Sequence, residues 1–266
     1  EPEPHLGGRR LHCPRGKVLG GSSSINGMVY IRGHSSDYDR WAQMGCTGWD
    51  WDSVLPYFRK SEDSERGATD WHGAGGPLHT SKKSMQSPLV DAFLKAGEQA
   101  GHDLTDDFNG PRFEGVGRYD ATIHGGERWS AARAYLTPIL HRANLDVLTD
   151  VQAERVLFRG RRAHAVGYRA GGKSEIAVGR EIILCGGAIN SPQMLMLSGI
   201  GPADHLKSHG LAVVHDSPNV GGNMQDHLDL LVQWRIDEPV SLNSNAKLAN
   251  QLKALGSWLA VRQGTG

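Results

Sequence analysis

Four consecutive apolar residues, Ile182-Ile-Leu-Cys185, run directly into Gly186-Gly187 and then into a stretch in which Ser191 suits a helix N-cap, Pro192 its first position and Gly199 its stop. A continuously apolar run bounded by glycine is the pattern of a strand buried on both faces, whereas a half-exposed strand would alternate. Strand, glycine turn and helix in this order predict one edge of a nucleotide-binding sheet of the α/β kind. The same unit serves many α/β proteins, so it constrains architecture before it says anything of function.

The chain upstream of that run reads as a tight antiparallel meander. Leu145 to Thr149, Arg155 to Phe158, Ala165 to Tyr168, Glu175 to Val178 and Glu181 to Leu184 are short apolar or β-branched runs, separated by turns such as Arg159-Gly-Arg-Arg162 and Gly171-Gly-Lys173. Earlier still, Ser87-Pro88 opens a helix whose Leu89, Phe93, Ala96 and Ala100 share one face and which Gly101 ends. Ser130 opens another, carrying Ala131, Ala134 and Tyr135 and ending before Pro138. Residues 40–86 and 102–128, rich in Gly, Asp and Trp with weak periodicity, are expected to be long ordered loops covering something.

Charge excludes several classes of function. The 266 residues hold 29 basic and 29 acidic side chains, so no net field draws in polyanions, and no basic run interleaved with aromatics points to nucleic acid. The apolar stretches fall far short of the ~20 residues needed to span a bilayer, leaving at most peripheral membrane contact. Three scattered cysteines, Cys13, Cys46 and Cys185, suit a reducing compartment, hence the cytoplasm, better than a disulfide scaffold. The 13 histidines form no zinc-protease pattern, and no metal site is expected. The start at Glu1-Pro-Glu-Pro-His5, without signal pattern or initiator Met, and the stop at Gly264-Thr-Gly266 read as the ends of a piece.

Chemistry is concentrated in Arg15-Gly-Lys-Val-Leu-Gly-Gly-Ser-Ser-Ser-Ile-Asn-Gly-Met-Val-Tyr30. Gly20 and Gly21 can take positive φ and admit a ligand to the backbone without Cβ interference, while Ser22 and Ser23 offer hydroxyls where a helix could begin. Main-chain amides at a helix N-terminus would then hold a diphosphate without a lysine cluster, which reconciles a neutral chain with a charged cofactor. A flexible Gly-Ser linker is the competing reading, and Ile25, Met28, Val29 and Tyr30 argue against it. A nucleophilic serine lacks the Gly-x-Ser-x-Gly elbow.

The sequence resembles the glucose-methanol-choline oxidoreductases, flavoenzymes that oxidise alcohols. The resemblance rests on two long signatures, Gly16-Lys-Val-Leu-Gly-Gly-Ser-Ser-Ser-Ile-Asn26 and Gly187-Ala-Ile-Asn-Ser-Pro-Gln-Met-Leu-Met-Leu-Ser-Gly-Ile-Gly201, the latter followed by Asn219-Val-Gly-Gly-Asn-Met-Gln-Asp-His227. Tyr30-Ile-Arg-Gly33, Thr105-Asp-Asp-Phe-Asn-Gly110 and Arg128-Trp-Ser-Ala-Ala-Arg-Ala-Tyr-Leu136 are most similar to its choline-oxidising branch. The resemblance implies a mixed α/β, glutathione-reductase-like FAD/NAD(P)-binding fold with a β-meander, and part of a substrate domain. Residues 1–217 would form the FAD-binding portion, with inserted cap or substrate loops at about 40–128, and residues 218–266 the start of the substrate domain.

Carried over residue by residue, the resemblance places Val18, Gly20, Gly21, Ser22, Ser23, Asn26, Gly27, Met28 and Val29 around FAD, with the last four nearest the isoalloxazine, and Ala153 against the adenine. Ile25 stands where some relatives bond the flavin through His, which implies non-covalent FAD. A small alcohol, with choline as the candidate, would be the substrate, and oxygen or a quinone-like compound the electron acceptor. A cage for a quaternary ammonium could draw on Trp41, Trp49, Trp51, Trp71, Trp129, Trp234 or Trp258, although a Trp is more often core. His227 is expected to serve a structural hydrogen bond.

Two departures limit the resemblance. The family's opening strand and Gly-x-Gly-x-x-Gly turn are not in these residues, since Gly73-Ala-Gly-Gly76 follows no apolar run, and neither is its catalytic histidine. No residue here is assigned as catalytic. An inactive short relative that binds a nucleotide or a partner, and more remotely a serine hydrolase, stay open at this level.

Overall fold

The computed structural model describes residues 2–82, 87–227, 232–237, 240 and 247–261. The chain divides into two compact units, Glu1–Leu145 with Trp234–Gly266, and Asp146–Gln233.

The first unit is a mosaic of short elements. It contains β1 (Val29–Tyr30), α1 (Ser35–Gln43), α2 (Trp51–Ser61), β2 (Glu62–Ser64), β3 (Leu78–Thr80), α3 (Pro88–Gln99), β4 (Leu104–Thr105), β5 (Val116–Gly117), β6 (Asp120–Ala121), β7 (Ile123–His124) and β8 (Glu127–Arg128). Strands this short hold few ladder bonds, so side chains must bind the segments together. The segment 40–86, expected as loop, holds α2 and the last turn of α1. Weak periodicity hid α2, but its ends carry a strong cap: Asp50 accepts from Ser53 N (3.0 Å) and Ser53 Oγ (2.9 Å). Its apolar partners are aromatic. Tyr38 of α1 is buried with its ring centroid 5.4–5.8 Å from those of Trp41, Trp51 and Phe58, and Trp71 lies 6.3 Å from Trp51. With Trp49 beside Trp41, four of the tryptophans form one aromatic cluster in which Trp41 and Trp49 stay about half exposed.

Helix α3 starts and stops where the sequence places it. Ser87 caps it by accepting from Leu89 N (3.3 Å), and Gly101 follows at φ 87°. The segment after Ser130 instead forms one π-helical turn, Ala132–Leu136, and a 3₁₀ turn, Thr137–Ile139. Pro138 supplies no N–H to continue the ladder, and the preceding turn widens rather than extending as an α-helix.

The second unit is the meander. Strands β9 (Val151–Arg159), β10 (Arg162–Ala170) and β11 (Lys173–Val178) pair antiparallel in the order β11-β10-β9. Gly160, Gly171 and Gly172 take positive φ at the two turns, as the tight spacing requires. Helix α4 (Gly187–Leu197), β12 (Ile200–Gly201), α5 (Ala203–Ser208) and β13 (His215–Asp216) complete the unit, β12 and β13 pairing in parallel. Ser198 joins helix to sheet: its Oγ accepts from Val156 N (2.8 Å) and donates to Met194 O (2.5 Å). Ala165, Leu206 and Val156 are the buried apolar residues of this unit among those described. The closing helix α6 (Leu248–Val261) belongs to the first unit, where Trp258 Nε1 donates to Gly126 O (2.9 Å).

Three expectations in this unit are corrected. Residues 181–184 and 145–149 form no strand. A strand buried on both faces exists only between neighbours, and the described residues offer Ile182–Cys185 none, leaving Ile183 80% exposed. Ser191 and Pro192 lie inside α4, which opens at Gly187. Ser191 Oγ accepts from Gly186 N (3.0 Å), and Pro192, lacking an N–H, leaves only one carbonyl of the first turn unmatched. The helix stop holds, with Ser198 at the C-cap and Gly199 next at φ 86°. No helix of the described residues is long and apolar enough to cross a membrane.

Candidate functional site

Nine of the ten expected cofactor contacts fall on one loop. Gly20 (φ 90°) and Gly21 (φ 55°) turn the chain into a 3₁₀ helix, Gly21–Ser24, followed by Asn26, Gly27, Met28 and β1. A four-residue helix has almost no aligned peptide dipoles, so this bend lacks the macrodipole expected from the sequence. What the bend has is a defined use of its hydroxyls. Ser23 Oγ donates to Gly20 O (2.5 Å) and accepts from Ala131 N (2.8 Å), and Ser24 Oγ donates to Leu19 O (2.9 Å). Ser22 Oγ accepts from Gly16 N (3.3 Å), and among the described residues its own hydroxyl hydrogen meets no acceptor. Ser22 therefore retains a donor for an incoming oxygen, and Ser23 does not. None of the three hydroxyls bonds a histidine among the described residues, which removes the geometry of a serine nucleophile.

The glycines divide in the same way. A Cβ on Gly20 would stand 2.6 Å from Ser24 Oγ and 3.2 Å from Ala132, and one on Gly16 would stand 2.1 Å from Gly21 O. The loop's own packing therefore leaves no room for a side chain at either position. On Gly21 or Gly27 a Cβ would meet nothing within 4 Å. Around these open positions Val18, Ile25 and Val29 are all at least half exposed, giving the loop an apolar rim.

Beyond the bend, Asn26 Oδ1 accepts from Met28 N (3.0 Å), and Met28 takes φ 61°, an uncommon conformation for a residue with a long side chain. The β6 side fixes it, because Met28 O accepts from Thr122 N (2.9 Å) while Val29 pairs with Ala121. Arg128 clamps the other end, donating to Ser23 O (3.2 Å), Asn26 O (2.7 Å) and Asn26 Oδ1 (2.9 Å). The first signature and the Arg128-Trp-Ser segment are thus one structure. Ala153 lies in β9 of the second unit. His227 follows Asp226, whose Oδ1 accepts from His227 N (2.9 Å).

A second assembly was not visible in the sequence. Glu62, fully buried, accepts from Arg32 Nη2 (2.8 Å), His72 Nδ1 (3.1 Å), Gly73 N (3.0 Å) and Thr80 Oγ1 (3.0 Å). The opposite ring nitrogen of His72 donates to Asp107 (2.9 Å), and Arg66 forms a two-pronged pair with Asp120 (3.0 Å each). Burial opposes charge on His72, but the hydrogen bonds and charges of Asp107 and Glu62 outweigh it and push the imidazole up to about 9. Burial likewise opposes charge on Glu62 and Asp107, and His72 together with neighbouring N–H groups and arginines holds both carboxyls below their ordinary values. Arg32, His72 and Arg66 thus balance Glu62, Asp107 and Asp120. The available signal was the presence of Asp-x-His and Asp-Asp-Phe-Asn in regions lacking apolar periodicity, where order must come from polar bonds.

Two concavities accompany these assemblies. An open cleft of about 480 Å³ is lined by Pro77, His79, Trp129, Tyr135 and Ile139 among others, with His79 stacked on His124 at 3.7 Å. A smaller one of about 90 Å³ lies among Arg32, Trp51, Trp71 and Phe113. Neither is lined by any of the ten expected cofactor residues.

The profile of the family described as GMC oxidoreductase matches residues 4–229. Oxygen-dependent choline dehydrogenases from Brucella ovis and Sinorhizobium fredii are 49% and 48% identical over all of this chain, which spans 48% of their length. An FAD-dependent oxidoreductase from Chaetomium thermophilum superposes with a TM-score of 0.87 at 29% identity, covering 99% of this chain and 48% of that one. A fungal aryl-alcohol oxidase superposes at 0.85 with 27% identity, covering 100% and 50%. The chain spans about half the length of the curated relatives it matches.

Proposed function

Because the chain belongs to the GMC oxidoreductase family, we propose that it is the cofactor-holding half of an FAD-dependent enzyme that oxidises an alcohol, choline being the favoured substrate and oxygen the favoured acceptor. The observation that carries this reading is the division of labour in the 16–30 loop. Its internal hydroxyls and glycines are consumed by packing, while Ser22 Oγ–H, Gly21 and Gly27 stay open beside an apolar rim. A spare donor next to an uncluttered backbone fits a diphosphate oxygen, and the rim fits a flat aromatic ring system. FAD suits the site on both counts.

In this reading Gly20, Gly21, Ser22 and Ser23 shape the diphosphate end. Val18, Asn26, Gly27, Met28 and Val29 shape the flavin end, and Ala153 contacts the adenine through its backbone. Bound flavin supplies the hydride acceptor for the alcohol carbon. The chain's own residues orient it: Arg128 fixes Asn26, Thr122 fixes Met28, and Ser23 staples the bend to Ala131. Ile25 offers no nucleophile, so the flavin is held without a covalent bond. No side chain of this half is assigned as the base. Residues 1–217 then serve the FAD-binding domain and 218–266 begin the substrate domain. A role as an inactive nucleotide-binding relative has no observation of its own in its favour.

The test is flavin retention at the full length of the relatives. Wild-type enzyme is expected to purify yellow, to release its FAD on acid precipitation, and to be bleached by choline. Gly27→Leu, which fills the open position, is expected to leave folding intact and lower FAD occupancy. Colourless wild-type enzyme that gains no absorbance from added FAD would overturn the proposal.

A further inference from the structure

Asn109 joins the two assemblies. Its side chain is buried, and its Oδ1 accepts from Arg32 N (2.8 Å) while its Nδ2 donates to Tyr30 O (3.1 Å). A carbonyl oxygen and an N–H presented on one side by a primary amide are what one residue of a neighbouring parallel strand offers, through its own N–H and C=O, to residues i and i+2. The side chain of Asn109 therefore stands in for one residue of a parallel neighbour, and it does so where the short β1–β6 ladder ends at Tyr30 and Asp120. Its donor and acceptor are fixed by what they face, a backbone carbonyl and a backbone N–H.

The amide is itself held. Asp107 Oδ1 accepts from Asn109 N (3.0 Å), Asp107 Oδ2 accepts from His72, His72 donates to Glu62, and Glu62 accepts from the guanidinium of Arg32. Arg32 N returns to Asn109, closing a ring of five residues drawn from four separate segments. Each member is pinned by two others, so the course of residues 30–32 is over-determined although the sheet contributes only two residue pairs. Upstream of this point the chain passes through Met28 at its left-handed φ, a conformation that persists only where its surroundings enforce it.

We propose that Asn109 is a positioning residue for the flavin: its amide, acting as a surrogate strand and locked by the ring through Asp107 and Arg32, sets the path of residues 30–32 and so, through β1, the placement of the Met28–Val29 backbone that would face the isoalloxazine. The proposal rests on the placement of the flavin given above. Asn109 touches neither cofactor nor substrate in this arrangement, and Asp106-Asp-Phe-Asn109 acts through β1.

The test uses holoenzyme at the full length of the relatives and three proteins: wild type, Asn109→Asp, which keeps the shape and the acceptor but loses the donor, and Asp50→Ala, which weakens the α2 cap and serves as the stability control. Two quantities are read. Amide exchange in the peptide covering 29–33 is expected to rise about tenfold in Asn109→Asp, as befits loss of one buried hydrogen bond, and to stay at the wild-type rate in Asp50→Ala. The flavin absorption bands are expected to shift, with kcat lower by about ten- to a hundredfold and KM within about threefold, since small misplacements near the chemistry act on the rate. Asn109→Ala, which removes both bonds, should exceed Asn109→Asp in each. Exchange equal to that of the control would overturn the clamp. Raised exchange with unchanged flavin bands and kcat would overturn the positioning role while leaving FAD binding standing. Flavin-free protein in every case would instead overturn the functional reading, and the proposal with it.

Discussion

Replacing His72 by Gln removes the cation that bridges the buried Glu62 and the half-buried Asp107, and the consequence depends on pH in a definite direction. In the folded chain the imidazole is held up to about 9 against an ordinary value of 6.5, with 1% of its side chain exposed. A rise of that size corresponds to about 3 kcal/mol of stability. Because the folded value is the higher one, this contribution is complete below pH 6.5 and disappears as pH rises through about 9. Glu62 and Asp107 are shifted the other way, so their contribution is present above the ordinary carboxylate range and is lost as pH falls below it. The first unit should therefore be most stable near neutrality. Urea unfolding followed through the fluorescence of the Trp41–Trp51–Trp71 cluster should show wild type losing about 3 kcal/mol between pH 6.5 and 10. His72→Gln should start lower by about 3 kcal/mol or more at pH 6.5, because Glu62 and Asp107 lose a shared partner, and should then run nearly flat. Taking the difference between the two proteins isolates the contribution of the imidazole. Parallel slopes for the two proteins, or an imidazole that titrates near 6.5 by NMR, would refute the reasoning.

Other expectations follow from single contacts. Gly20→Ala should destabilise the first unit by about 2 kcal/mol or more, because it combines a positive φ with a Cβ pressed on Ser24 Oγ, and thermal unfolding will measure it. Gly27→Ala meets open space, so the chain's stability should move by less than about 0.5 kcal/mol while FAD titration shows weaker binding. Ser198→Ala strands the buried N–H of Val156, and hydrogen exchange across β9 should report a loss of about 1–3 kcal/mol in the second unit.

The parts of the fold that the sequence announced are those governed by local chemistry. Ser87-Pro88 and Gly101 bounded α3 because a cap, a fixed φ and a left-handed stop act within a few residues. The glycine turns of the meander were legible for the same reason. The two overestimated strands failed for a non-local reason, since an extended run becomes a strand only when another segment supplies its ladder. In the candidate site, Gly20 and Gly21 were read correctly as positive-φ positions, but the sequence could not show that a Cβ on Gly20 would press on Ser24 Oγ and on Ala132, over a hundred residues away, while Gly21 is open.

From its residues alone this chain declared a Gly-Gly-Ser-Ser-Ser bend, a glycine-punctuated meander, capped helices and the family to which they belong, because backbone preference and turn chemistry are properties of neighbours in sequence. Tertiary structure decided which hydroxyl remained free to donate. It also gathered Arg32, Glu62, His72, Asp107 and Asn109 into one ring and moved the proton equilibrium of His72. Those outcomes depend on hydrogen-bond directions and charges brought together from segments 10 to 77 residues apart and largely withdrawn from water, where each group's energy is set by its partners and not by its own type.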